Sequence, residues 1–290
     1  MKILITGVNG LLGSKLFELL NFSEHDIIST ARSQEGLATI ALDITNEKQI
    51  HQVLETHKPD VLINTAAIAD VDLCEVEKEL CWNTNVKAVG YLVDKCKKFN
   101  VHLIHISTDY IFDGTSGPYI ESDDPNPISY YGKSKFEGEK VIVENNLDHT
   151  IIRTILVYGV HAKSNIVSYV KQSLENGNPV NLVDDQHRMP TFVDDLANAC
   201  ISAANKKALG VFHVSGSEML NYYEIGLSIA DYFSLDASLI NKIKTSQLNQ
   251  KARRPELTGF ILDKAKKELD YKPTSFENSL EVFRLSLIHI

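Results

Sequence analysis

The stretch Gly7-Val8-Asn9-Gly10-Leu11-Leu12-Gly13 constrains this chain more than any other feature, because of what flanks it. Lys2-Ile3-Leu4-Ile5-Thr6, directly before it, has the length and residue types of a strand, and the spacing of apolar residues after it predicts a helix over 11–20. Glycines spaced GxxGxxG between strand and helix let the backbone turn sharply and approach a pyrophosphate. The ligand's charge then meets unpaired amides and the positive end of the helix dipole. A tight turn with no ligand is the plain alternative, but the strand, loop, helix and chain position agree on a dinucleotide site. Gly7, Asn9, Gly10, Leu11, Leu12 and Gly13 are therefore candidate cofactor-binding residues.

The same rhythm continues. Further strands are expected over 26–30, 60–65, 101–107 and 150–157, with shorter ones near 180–183 and 211–214. Helices are expected over 47–56, 75–99, 131–145, 164–176, 194–204, 222–233, 264–269 and 276–287. Runs such as Val61-Leu62-Ile63 have no polar face, as in a parallel sheet covered by helices on both sides. The expected fold is α/β, a doubly wound parallel Rossmann sheet with a smaller C-terminal substrate lobe. At 290 residues the chain is about twice a usual domain of ~100–150. Residues 1–160 are expected to form the dinucleotide-binding domain and 161–290 mainly the substrate lobe, some segments returning to the sheet. Five Gly and Pro residues between Gly114 and Pro127 make a connector long enough to be a candidate substrate loop.

Charge narrows the partners. Lys and Arg number 29 against 38 Asp and Glu, a net −9 that argues against nucleic acid. No apolar run nears the ~20 residues of a membrane span, and Met1–Gly7 lacks the length and cleavage site of a secretion signal. A cytoplasmic protein with no membrane partner is expected. Cys74, Cys81, Cys96 and Cys200 include no CxxC pair and read as reduced, packed thiols. His102 and His105 alternate with apolar residues along a strand and read as packed histidines, so no metal site is expected.

After the second strand, Thr30-Ala31-Arg32-Ser33 offers no carboxylate for a ribose 2′-hydroxyl. Arg32, assisted by Ser33, can instead pair with a 2′-phosphate, which favours NADP(H) while leaving NAD(H) open. Asp43, with Ile44 beside it, can reach the adenine. Ala66 and Ala67 end a strand with side chains small enough for a cofactor to lie against the backbone. Tyr131 and Lys135, four apart, share a helix face just beyond a strand ending Ser107-Thr108-Asp109-Tyr110. Reducing a ketone by hydride leaves an alkoxide that needs a proton. A tyrosine can supply it, with a nearby ammonium lowering its reference pKa of ~10 and holding the nicotinamide ribose. Thr108 can donate to the carbonyl oxygen as charge develops.

With Gly7–Gly13, Asn64–Ala67, the Ser107-Thr108-Asp109-Tyr110-Ile111-Phe112-Asp113-Gly114 stretch, Tyr131–Lys135 and Arg254-Pro255, the chain resembles the extended short-chain dehydrogenase/reductase family. Within it, the likeness is strongest to the group of dTDP-4-dehydrorhamnose reductases. That resemblance implies NADPH- or NADH-dependent reduction of the C4 ketone of a dTDP-6-deoxy-hexulose, an oxidoreductase step of dTDP-L-rhamnose synthesis, with a nucleotide sugar as substrate. It implies catalytic roles for Thr108, Tyr131 and Lys135, and puts Asp109 and Tyr110 on the substrate side. Asn85 supports the site or merely kinks its helix, and Arg254 meets a substrate phosphate or forms an ordinary ion pair. Leu156 stands where the group often has a sugar-contacting Trp. Lys15 stands where some members carry a metal-ligating Glu at a dimer contact, so a homodimer would not be metal-linked there. The alternatives carrying the same residues are another nucleotide-sugar reductase or epimerase, and a non-catalytic NADP-binding regulatory subunit like the β-subunit of methionine adenosyltransferase.

Overall fold

Strands that are apolar on both faces leave nothing for water to solvate, and the chain covers both sides of the sheet they form. The computed structural model describes residues 1–161 and 165–288, the last two as backbone only. Ser164, the expected start of one helix, lies outside the described residues. The first half runs β1 (Lys2–Thr6), α1 (Leu11–Asn21), β2 (Asp26–Ala31), β3 (Ile40–Ala41), α2 (Glu47–His57), β4 (Val61–Asn64), α3 (Val71–Val76), α4 (Lys78–Trp82), α5 (Ala88–Phe99), β5 (His102–Thr108), α6 (Tyr130–Glu144) and β6 (His149–Thr154). The second half adds β7 (Val157–Tyr158), α7 (Ile166–Glu175), β8 (Val180–Val183), β9 (His187–Arg188), β10 (Thr191–Phe192), α8 (Val193–Lys206), β11 (Gly210–Val214), β12 (Leu220–Asn221), α9 (Tyr222–Tyr232), β13 (Ile240–Ile243), α10 (Asp263–Glu268) and α11 (Phe276–Ile288).

Seven parallel strands lie in the order β3-β2-β1-β4-β5-β6-β11. One face carries α1 and α8, whose Leu12, Leu16, Leu196 and Cys200 pack on Ile3, Ile5 and Ile63. The other carries α2, α5 and α6, whose Ile50, Leu92 and Ile142 pack on Leu4, Leu62 and Leu103. Alternate residues of each strand thus feed two separate cores, as the uninterrupted apolar pattern requires. Strand order reverses between β1 and β4, and a crevice opens at the carboxyl ends there. A second lobe pairs β8 with β13 and packs α7, α9 and α11 around Tyr158, Ile225 and Phe276. The Rossmann sheet with a C-terminal lobe is the expected fold class, with β11 returning to the sheet.

Two local expectations are corrected. The single helix over 75–99 is broken: Glu77 leaves helical geometry at φ −102° and ψ 57°, and Asn83–Lys87 form a π-helical turn before α5. The single strand over 150–157 ends at Thr154, because Leu156 adopts φ +39° and turns the chain so that β7 pairs with β10. Residues 114–127, the candidate substrate loop, are held against the core of the sheet. Tyr119 stacks on Phe112 at 4.1 Å and bridges to Phe260, and all three rings sit in the core that holds Ile3 and Leu196.

Candidate active site

Two hollows meet in the crevice. The larger, about 530 Å³, has Thr108, Tyr131, Lys135, Leu156 and Arg188 among its walls. The smaller, about 350 Å³, is bordered by Gly7, Asn9, Gly10, Arg32, Asp43 and Ile44. Thr65 and Ala67 line both, so the two form one continuous groove with Ala66 along its floor.

The glycine turn is built for close approach. Gly7 has φ +70°, and a Cβ there would sit 3.0 Å from the Ala66 backbone. A Cβ on Gly13 would sit 2.4 Å from the Gly7 carbonyl, so this glycine lets α1 close onto the turn rather than lining either hollow. Gly10 caps α1 without a side chain, and the first turn holds no acidic residue. The α1 amides therefore face the groove uncompensated, which suits an anion. Asn9 donates to the Glu35 carbonyl at 2.8 Å and accepts from the Leu37 amide at 2.9 Å, tying the turn to the segment after β2. Arg32 stands exposed at the rim of the smaller hollow, whereas Ser33 donates to Glu35 at 3.3 Å and lines neither. Asp43 holds the Thr45 amide and hydroxyl at 2.9 and 2.7 Å through one oxygen. Leu11 and Leu12 line the larger hollow.

Ser129 caps α6 at the Gly132 amide and fixes the helix that carries Tyr131 and Lys135. Tyr131 is 8% exposed, edge-on to Tyr110 at 5.6 Å, with Cys74 and Cys81 packed behind it. Burial pushes its phenol above the ordinary range, partly offset by the Thr108 hydroxyl. The lowering expected from Lys135 is therefore corrected: the ammonium is engaged elsewhere. Lys135 Nζ donates to the Ile106 carbonyl at 2.7 Å and meets His105 Nε2 at 3.2 Å. Burial pulls Lys135 down to about 8, against the opposing pull of Glu139. Thr108 Oγ1 accepts from the Tyr110 amide at 3.2 Å and donates to Asp109 at 3.1 Å.

Asp109 is buried and accepts from Thr258 at 2.5 Å, with Arg188 Nε 3.8 Å away. Burial raises its carboxyl, opposed first by Arg188 and then by the two threonines. It lines the larger hollow together with Tyr110. Arg254 is held bidentately by Asp72 at 2.8 and 3.2 Å, so the ion pair is what the structure contains, and it lines neither hollow. Asn85 lies in the π turn and clamps Ile68 at both its amide and carbonyl, 3.0 Å each, while donating to Ser134 at 3.0 Å. It thus both accompanies the helix distortion and steadies the wall behind Tyr131. Lys15 pairs with Glu18 and Asp194, and among the described residues no three His, Cys, Asp or Glu converge as metal ligands. All four cysteines are buried and free.

The sequence reading missed Arg188 and Tyr222, which line the larger hollow. Arg188 is 1% exposed and donates to the carbonyls of His187 and Pro255 at 2.7 Å each. Nothing in the short stretch around Arg188 announces such burial.

A profile of the RmlD substrate binding domain matches residues 1–286. The chain belongs to the RmlD substrate binding domain family. This RmlD-family chain is 30% identical to dTDP-4-dehydrorhamnose reductase of Aggregatibacter actinomycetemcomitans, over 98% of each chain. It is 32% identical to methionine adenosyltransferase 2 subunit beta of Rattus norvegicus, over 88% of this chain and 78% of that one. Among solved structures, it superposes on dTDP-4-dehydrorhamnose reductase of Bacillus anthracis strain Ames in complex with NADP. The TM-score is 0.90 and the identity 29%, covering 98% and 99% of the two chains. The RmlD-family fold seen here is that of NAD(P)-binding oxidoreductases that act on nucleotide sugars. Among the described residues no helix is long and apolar enough to cross a membrane.

Proposed function

We propose that this chain reduces the C4 ketone of a dTDP-linked 6-deoxy-hexulose, as a dTDP-4-dehydrorhamnose reductase, with NADPH preferred. The observation that carries the reading is the convergence of Tyr131, Lys135 and Thr108 on one hollow that runs into the glycine-turn hollow through Thr65 and Ala67. The groove residues fit a dinucleotide: a Cβ at Gly7 would fill the cradle, and Gly10 brings no side-chain cap to the α1 amides. Gly7, Asn9, Gly10, Leu11 and Leu12 would hold the pyrophosphate region, Gly13 letting the helix close behind it. Asp43, Ile44, Ala66 and Ala67 would border the adenosine, and Arg32 would pair with the 2′-phosphate. Bound there, the reduced nicotinamide supplies hydride.

The chain's own residues handle the proton. A phenol held above its ordinary value by burial stays protonated at neutral pH, the form needed to give a proton to a developing alkoxide. Thr108, by turning its hydroxyl from Asp109, donates to the same oxygen and supports its charge. Lys135 reaches the hollow as a donor for the cofactor ribose. Tyr110 and Leu156 would wall the sugar, and Asp109 acts on it only through Thr108. Arg254, already paired with Asp72, is left outside the substrate contacts.

The test incubates the protein with NADPH and dTDP-4-keto-6-deoxy-L-hexulose, following loss of reduced cofactor and the sugar formed. Turnover that falls about 10²–10⁴-fold in Tyr131→Phe is the expected result. Cofactor loss indifferent to that change removes Tyr131 as the acid. Absence of any turnover, with NADPH still bound, returns the chain to the regulatory-subunit reading that its likeness to methionine adenosyltransferase 2 subunit beta also supports.

A further inference from the structure

The proposed chemistry leaves unused a row of buried polar groups that ends at Lys135. Sheet register sets Thr6 beside Asn64 and Asn64 beside His105, on the adjacent strands β1, β4 and β5. All three side chains are 1% exposed. Thr6 Oγ1 lies 2.6 Å from Asn64 Oδ1, Asn64 Nδ2 lies 3.1 Å from His105 Nδ1, and His105 Nε2 lies 3.2 Å from Lys135 Nζ.

Counting donors shows that these links are not independent. A neutral imidazole carries one proton. If the Asn64 amide donates to Nδ1, that proton sits on Nε2 and points at Nζ, which must then accept it as a neutral amine. If Lys135 is an ammonium, Nε2 accepts and Nδ1 carries the proton. Asn64 must then turn its oxygen to His105 and its NH₂ to Thr6, a half-turn of the amide plane. Either arrangement pairs every link, whereas a mixture sets donor against donor or acceptor against acceptor, at about 1–3 kcal/mol per buried group.

We infer that His105 is a positioning residue whose tautomer, relayed through Asn64 to Thr6, is locked to the proton count of Lys135. The imidazole stays neutral in both states, and only the nitrogen that holds its proton changes. The proton that Lys135 loses leaves into the hollow it lines. Burial, with the Lys135 charge second, keeps His105 from charging. The other titratable groups around Lys135 are Glu139 on its own helix, Cys74 on α3 and Cys81 on α4, all of which favour the ammonium, and Tyr131 one turn away. Glu139 is itself held by Arg153 at 2.8 Å. The ammonium state has its crossover at about 8.

The lock rests on the geometry around Lys135 and not on the proposed function. The full chain, labelled with [15N]histidine, is followed by two-bond 1H–15N correlation spectra from about pH 6 to about pH 10, on both sides of the Lys135 crossover. His105 is identified by the signals missing in His105→Gln. If that variant does not fold, Lys135→Met identifies it as the imidazole that loses its pH response. The expected result is a neutral ring whose proton sits on Nδ1 below about pH 8 and on Nε2 above it, with one pH-independent tautomer in Lys135→Met. One unchanging tautomer in the wild type, an imidazolium at the low end, or a crossover that survives Lys135→Met overturns the relay. Because no turnover is read, failure here leaves the reductase reading intact, and a protein without reductase activity still answers this question.

Discussion

Lys135 occupies a position that costs the fold something. Its folded pKa of about 8 lies below its unfolded value, so the unfolded chain binds more protons between the two. Stability from this group is therefore fully present above the unfolded value near ~10.4 and is lost as pH falls through 8. Lys135→Met removes this cost, on the order of 3 kcal/mol at pH 7 at ~1.4 kcal/mol per unit, but leaves the Ile106 carbonyl without its donor, which offsets much of the gain. Its urea midpoint should also change little between pH 8 and the unfolded value, where the wild type's rises. A parallel pH dependence in both proteins contradicts that account. Arg32 poses the opposite case, an exposed side chain at the rim of the smaller hollow. Arg32→Ala should weaken NADPH binding about 10–100-fold, the worth of a charge-assisted contact, while leaving NADH binding nearly unchanged. Equal losses for the two cofactors, measured by fluorescence titration, take the 2′-phosphate role away from it.

The interrupted segment from α3 to α5 shows how far periodicity carries. Its apolar spacing reads as one long helix, and the break at Glu77 and the π turn at Asn83–Lys87 have no strong local signal. What stabilises them is tertiary: Asn85 satisfies the Ile68 backbone on one side and Ser134 of α6 on the other. A Cβ on Gly138 would sit 2.6 Å from the Asn85 carbonyl, so α6 can lie this close only with glycine there. Asn85→Ala deletes this clamp and leaves the Ile68 amide and carbonyl without their partner. An expected loss of about 2–4 kcal/mol, read as a lower urea midpoint, follows from roughly 1–3 kcal/mol per unpaired buried group, reduced because Ile68 is half-buried and Cys74 Sγ stays 3.8 Å from its carbonyl. Turnover should fall with it, since the clamp backs the wall that carries Tyr131. A variant with unchanged stability shows the clamp to be redundant. The strand end at Leu156 is another such case, where a left-handed residue turns a side chain into the larger hollow.

At the scale of the whole molecule, the groove lies between the sheet's carboxyl edge and the second lobe, with walls drawn from both. Binding there stabilises only the folded chain, by about 2.7 kcal/mol at 100 times Kd. NADPH at that level should raise Tm by roughly 5 °C, since a chain of 290 residues falls at the low end of ~2–4 °C per kcal/mol. An unmoved Tm means that the groove does not take the cofactor.

Sequence alone determined the main strand–helix alternation of the sheet, the glycine turn and the shared face of Tyr131 and Lys135, because each is written within a few neighbouring residues. Only the tertiary structure decided that Arg254 belongs to Asp72, that Arg188 is buried in the groove wall, and that Thr6, Asn64 and His105 line up behind Lys135. Links in that row span 58 and 41 residues of chain. Parallel register across three strands brings them together, and register is set by the whole sheet packing against its helices, not by any local pattern.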